Sequence, residues 1–219
     1  MDAATFVEQL GAANQEILNR LAPAEALVAE SGGDLSLETL LKIALKNELE
    51  ATELAARWLV TTDDVDLKLA LARQAGDEAK HYRLIAIHLQ ELGIDLTGFD
   101  PLGQGYGPLF TYLDGLTDPV ERVAAGPFTR EAIAVVKNQQ FMALCESQGA
   151  HTTVQLYREV IQKDEAYHQR LGHDLLLRLA TTPEAQERAR QAATHTLELA
   201  EELQYLALTK LGIHHAPGC

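Results

Sequence analysis

Asp77-Glu78-Ala79-Lys80-His81 and Asp164-Glu165-Ala166-Tyr167-His168 are the two stretches on which the fold turns. They are the only Asp-Glu pairs in the chain, and each has a histidine three positions past the glutamate. With 8 histidines in 219 residues, meeting that arrangement twice is a coincidence on the order of one in a thousand, so the pair reads as a short internal repeat. Residues three apart on a helix share a face, which lets one carboxylate and one imidazole reach the same ion.

Outward from these stretches the chain reads as helix almost throughout, rich in Ala, Leu, Glu, Gln and Arg, with aromatics at 5%. A first helix is expected over 5–21, followed by a break at Ser31-Gly32-Gly33-Asp34. Ser36 caps a second helix reaching about Val60. The polar turn at 61–64 leads to a third helix that Gly93 stops. Residues 94–118 form a crossover with a short helix around 109–113, and Pro119 and Pro127 both suit first-turn positions. A fourth helix is expected over 129–148, a fifth over 151–180 after Gly149, and a sixth from Pro183 to near Gly212. This predicts an all-α fold: a four-helix bundle of two antiparallel hairpins joined by a long crossover, with extra N- and C-terminal helices. It forms one domain over 1–219, with its core at 36–180 and flanking helices at 5–21 and 183–211.

Hairpin geometry says where further ligands belong, because residues equidistant from the turn lie at one level. Reflecting Glu78 through the 61–64 turn lands near Glu48, which lies on the apolar stripe of Leu41, Leu45, Thr52, Ala55 and Leu59. Reflecting Glu165 through Gly149 lands near residue 133, and Glu131 is the closest acid. Glu50 and Glu53 are weaker competitors, and Glu146 requires a turn inside continuous helix. The expected metal ligands are therefore Glu48, Glu78, His81, Glu131, Glu165 and His168. Four carboxylates with two imidazoles suit two divalent ions, iron or manganese in preference to calcium or magnesium.

These residues, with an acid before each Glu-x-x-His, resemble the ferritin-like di-iron carboxylate superfamily over about 36–180. The resemblance implies two iron ions, with manganese or a mixed Fe/Mn pair as variants. Glu78 and Glu165 would bridge, His81 and His168 would each terminate one ion, and Asp77 and Asp164 would orient the histidines. It also implies a dioxygen-activating enzyme, close to hydroxylases and monooxygenases, that oxidises a small organic substrate. Electrons would come from an external reductase or ferredoxin, and no catalytic residue is expected beyond the ligands. Ile85 and Val135 stand where two branches of that superfamily carry a tyrosine and a threonine. Thr52, Tyr82, Val135 and Asn138 are candidate lining residues. The alternative is a metal-handling or peroxide-scavenging relative of ferritin and rubrerythrin, and a third reading is a helical interaction module.

The remaining features bound the partners. A net charge of -14 disfavours nucleic acid, a tRNA to be modified being the one exception left open. No apolar run approaches a membrane span, the acidic N-terminus does not read as a secretory signal, and a cytoplasmic location is expected. Homo-oligomerisation is left open. Cys145 and Cys219 support neither a disulfide framework nor a thiolate cluster. His88, His151, His173 and His195 read as packed or surface histidines, and Tyr167 as a core tyrosine. His214 and His215 read as terminal.

Overall fold

The computed structural model describes residues 1–21 and 36–209, and over these the chain is all-α. The expected break at Ser31-Gly32-Gly33-Asp34, the end near Gly212, and His214, His215 and Cys219 lie outside the described residues.

Helix α1 (Ala3–Leu21) buries Phe6, Val7, Leu10, Leu18 and Leu21 on one face. Helix α2 (Leu37–Thr61) starts where the Ser36 hydroxyl accepts the Thr39 N–H at 3.2 Å. Helix α3 (Val65–Glu91) starts in the same way, with Asp64 accepting the Leu67 N–H at 2.8 Å. These side-chain acceptors satisfy first-turn donors that the helix leaves open. The three residues between α2 and α3 force the two into a tight hairpin. Gly93, at φ 80°, turns the chain out of α3, a backbone conformation that costs glycine little.

The crossover is buckled onto α2. Glu50 accepts the Gly107 N–H at 2.7 Å, Lys46 donates to the Gly105 carbonyl at 2.7 Å, and the Tyr106 hydroxyl donates to Glu53 at 2.6 Å. Two of the weaker ligand competitors, Glu50 and Glu53, are thus spent on holding this segment. Helix α4 (Pro108–Asp114) follows.

The second hairpin differs from the expectation. Its first helix begins at Pro119, not near residue 129, and runs as α5 (Pro119–Val123), a wide π-helical segment (Ala124–Arg130) and α6 (Glu131–Ser147). Pro119 does stand in the first turn, but Pro127 is interior. A proline there removes an N–H and crowds the preceding turn. The wide segment accommodates it, and the Glu131 N–H bonds back five residues to the Gly126 carbonyl. The returning strand of the hairpin repeats the device: α7 (His151–Leu156), a wide segment (Tyr157–Ile161) and α8 (Gln162–Leu179). Helix α9 (Pro183–Thr209) closes the described chain.

Two apolar clusters fill the interior. One gathers Leu54, Trp58, Leu71, Phe128 and Leu175 with α1 and α9 residues such as Phe6 and Ala193. The other gathers Leu41, Leu45, Ile85, Phe141, Tyr157 and Ile161. On each of the four central helices, the stretch between the two clusters carries the acids and histidines singled out above. Among the described residues, no helix is long and apolar enough to cross a membrane.

Candidate metal centre

Glu48 comes from α2, Glu78 and His81 from α3, Glu131 from the first turn of α6, and Glu165 and His168 from α8. All six are fully shielded from solvent. They form two overlapping groups, Glu48/Glu78/His81/Glu165 and Glu78/Glu131/Glu165/His168, and within each the potential ligand atoms lie within 4.8 Å of one another. Glu78 and Glu165 belong to both. The structure therefore brings all six expected ligands to one place, as two subsites sharing two carboxylates.

Both imidazoles turn Nδ1 inward and Nε2 outward. His81 Nδ1 lies 3.2 Å from Glu78, 3.3 Å from Glu48 and 3.7 Å from Glu165. His168 Nδ1 lies 3.4 Å from Glu78 and 3.5 Å from Glu165. On the outer side the pairing is crosswise: His81 Nε2 meets Asp164 at 3.1 Å, and His168 Nε2 meets Asp77 at 3.2 Å. Lys80 ties these two aspartates together, 2.5 Å from Asp164 and 3.5 Å from Asp77. Glu131 accepts a hydrogen bond from Gln74 Nε2 at 2.6 Å.

The electrostatics are those of a cage seeking positive charge. Burial pushes the Glu48 carboxyl up to about 7, although His81 pulls the other way. Glu165 is raised well above the usual carboxylate range by burial and by Glu78 and Glu131. Burial works to lower His81, yet Glu48 and Glu78 prevail and push it up to about 12. His168 is likewise pushed up to about 11, with Glu165 and Glu78 outweighing burial. Desolvation also works to raise Asp164, but Lys80 and then His81 hold it below its ordinary value.

Neither buried oxygen of Glu48 accepts a hydrogen bond of good geometry, and neither does His168 Nδ1. Buried polar atoms are nearly always satisfied, so these inward-facing atoms fit a group of opposite charge between them. A donor set of four carboxylate groups and two neutral imidazole nitrogens matches that need with two divalent ions.

Other expectations fall elsewhere. Glu146 pairs with Arg158 on the surface. His88 is buried against the Thr153 hydroxyl at 2.8 Å, and Cys145 lies in the apolar cluster with its thiol pushed up to about 12 by burial. The half-buried Tyr167 lies under the Arg73 guanidinium, 3.7 Å from its ring centre. Thr52 donates to the Glu48 carbonyl at 2.8 Å. A small void of about 10 Å³ beside Glu131 is lined by Ala51, Leu54, Trp58, Gln74, Gly126 and Arg130 among others, and by none of Thr52, Tyr82, Val135 or Asn138. Sequence reasoning missed Gln74 and Lys80. Gln74 stands four residues before Glu78 and so shares its helix face, which was the available signal. Lys80 carried none, because its role depends on Asp164 from another helix.

The fold resembles one solved structure closely enough to be informative. A TenA homologue from Pyrococcus furiosus matches with a TM-score of 0.65 at 17% identity, over 92% of this chain and 99% of that one. No protein-family model matches the chain, and no curated protein matches it.

This likeness corrects the expected membership of the ferritin-like di-iron carboxylate superfamily: the chain folds like a TenA homologue. The dioxygen-activating oxidoreductase expected through that membership is corrected with it, as are its hydroxylase and monooxygenase character and its ferritin- or rubrerythrin-like alternative. The physical reason is that Glu-x-x-His spacing fixes only which side chains share a helix face. It constrains neither how helices pack around that face nor what reacts there, and the oxygen chemistry rested on family membership alone.

Proposed function

We propose that this protein is a dinuclear metal-binding protein of TenA-like fold. Glu48 and His81 hold one divalent ion, Glu131 and His168 hold the other, and Glu78 and Glu165 bridge them. The observation that carries this reading is the sharing of Glu78 and Glu165 by two four-residue groups of fully buried ligand atoms. One such group could be an acid cluster relieved by protons. Two groups meeting in a common pair of carboxylates make a cage of the size and charge for two ions, and the carboxylate-imidazole mixture favours iron or manganese.

The chain's own residues do the rest. Asp77 and Asp164 fix the rotation of the two rings and keep Nδ1 facing inward. Gln74 orients Glu131, and the apolar clusters on either side exclude water. Such ions act as Lewis acids that polarise a coordinated water or oxygen group. The void beside Glu131 is of the size of a single water.

Elemental analysis after loading with ferrous or manganous ion tests the reading. Two ions per chain are expected for the native protein, and one for Glu48→Gln or Glu131→Gln, each of which removes a ligand from one subsite. Fewer than two ions on the native protein would overturn it.

A further inference from the structure

We infer that Lys80 is the latch on the route by which metal ions enter and leave, a role that rests on the dinuclear reading and adds a path to it. Every ligand is sealed from solvent, so an ion must cross a wall of the protein. Most of that wall is apolar: one cluster lies on the Leu54 and Trp58 side and the other on the Leu45 and Ile85 side. The void beside Glu131 offers no way through, since Gln74, Arg130, Trp58 and Leu54 around it are all themselves buried.

One side is different. Asp77 and Asp164 touch both the ligands and the solvent. Each is bonded to the outer nitrogen of a ligand imidazole, and their side chains are 19% and 21% exposed. They form the shortest polar connection between water and the cage. A divalent cation arriving from solvent meets these two carboxylates first. The ammonium of Lys80, 43% exposed, already spans them, 2.5 Å from Asp164 on α8 and 3.5 Å from Asp77 on its own helix. It occupies the oxygens that an incoming ion would use, and its charge repels that ion.

A positive charge near a metal site has two separable consequences. If Lys80 only adds repulsion at equilibrium, its removal tightens binding and slows release. If it blocks the path, its removal raises the rates of entry and exit together, with little change in affinity. The geometry points to the second, because Lys80 lies outside the aspartates and the imidazoles lie between it and the ions.

The test compares the native protein with Lys80→Met, Lys80→Gln and Lys80→Arg, each loaded with manganous ion. Uptake is followed by stopped flow and release by challenge with excess chelator. In Lys80→Met and Lys80→Gln both rates should rise on the order of tenfold, with two ions still bound, and Lys80→Arg should stay near native. Unchanged release, or faster uptake with slower release, overturns the latch while leaving the dinuclear centre intact. Fewer than two ions on the native protein overturns the centre itself. The glutamine variant keeps a hydrogen-bond donor, so a folding defect confined to the methionine variant does not decide the outcome.

Discussion

Asp164 stands one residue before Glu165, yet it braces His81, a ring that belongs to the other hairpin, with Oδ2 3.1 Å from Nε2. The reciprocal contact joins Asp77 to His168. Each hairpin therefore aims the imidazole of its neighbour. Replacing either aspartate by asparagine retains the shape but removes the charged acceptor. Asp164→Asn and Asp77→Asn should each weaken metal binding by roughly 10- to 100-fold, measured by competition with a chromophoric chelator. An affinity within threefold of native for both would show that the crosswise braces are ornamental.

Glu48 offers a test with opposite signs in two states. Its oxygens are buried and accept no hydrogen bond of good geometry, so in the metal-free protein the carboxylate is a cost. Glu48→Gln should raise the melting temperature of the chelator-treated protein at neutral pH, the lost penalty being about 1–3 kcal/mol. The same variant should gain less stability than the native protein when metal is added, since ligand-linked stabilisation scales with affinity and site number. Calorimetry with and without manganous ion reads both effects. A variant less stable than native in chelator would contradict the account of Glu48.

Asp64 ties the start of α3 to the end of α8. It caps the helix through the Leu67 N–H and receives both terminal nitrogens of Arg178 at 2.6 and 2.8 Å. The bonds from Arg178 and the helix N–H hold its carboxyl at about 2, below its ordinary 3.8. A depressed acid stabilises the fold above its unfolded value, and the contribution fades as pH falls toward the folded value. The stability gap between native protein and Asp64→Ala, about 1 kcal/mol from the cap with little from the exposed ion pair, should be full above roughly pH 5 and shrink between about pH 4 and pH 2. Urea titrations at a series of pH values measure it, and a gap that widens on acidification would refute the assignment.

Gly172 sits one turn past His168 against the wide segment that precedes Glu131. A methyl group there would come within 2.5 Å of the Phe128 nitrogen and the Pro127 carbonyl carbon, and a backbone cannot swing aside as a side chain can. Gly172→Ala should cost about 3 kcal/mol, at the upper end of overpacking effects. It should also push α8 away from α6 and lower metal affinity. A melting temperature within a degree or two of native would mean that the helices part without resistance.

The sequence makes some of this molecule legible and leaves the rest to contacts between distant residues. Ser36, Asp64, Pro119 and Gly93 mark their helix ends because capping and left-handed backbone are local matters. Glu48 and Glu131 emerge by reflection because antiparallel hairpins place residues equidistant from a turn at one level. Pro127 misleads, since a proline inside a helix is tolerated only when a wide turn absorbs it, and no local signal announces that turn. The crosswise bracing by Asp77 and Asp164, and Lys80 above it, depend on two hairpins meeting. The same holds for the overall packing: a Glu-x-x-His face looks the same in a ferritin-like bundle and in a TenA-like fold, and so the motif pointed to the wrong family.

The two wide turns, Ala124–Arg130 and Tyr157–Ile161, have a consequence for how these helices tolerate change. Each lies just upstream of an acid in the cage, and each stores one residue more than a regular helix would spend on that length. Deleting a single residue from either would restore an even pitch and rotate everything downstream by about 100° about the axis, carrying Glu131, or Glu165 with His168, out of the interior. In this half of the protein the aim of the ligands is set by a surplus residue and not by spacing, so a one-residue gap would erase the centre while leaving every helix whole.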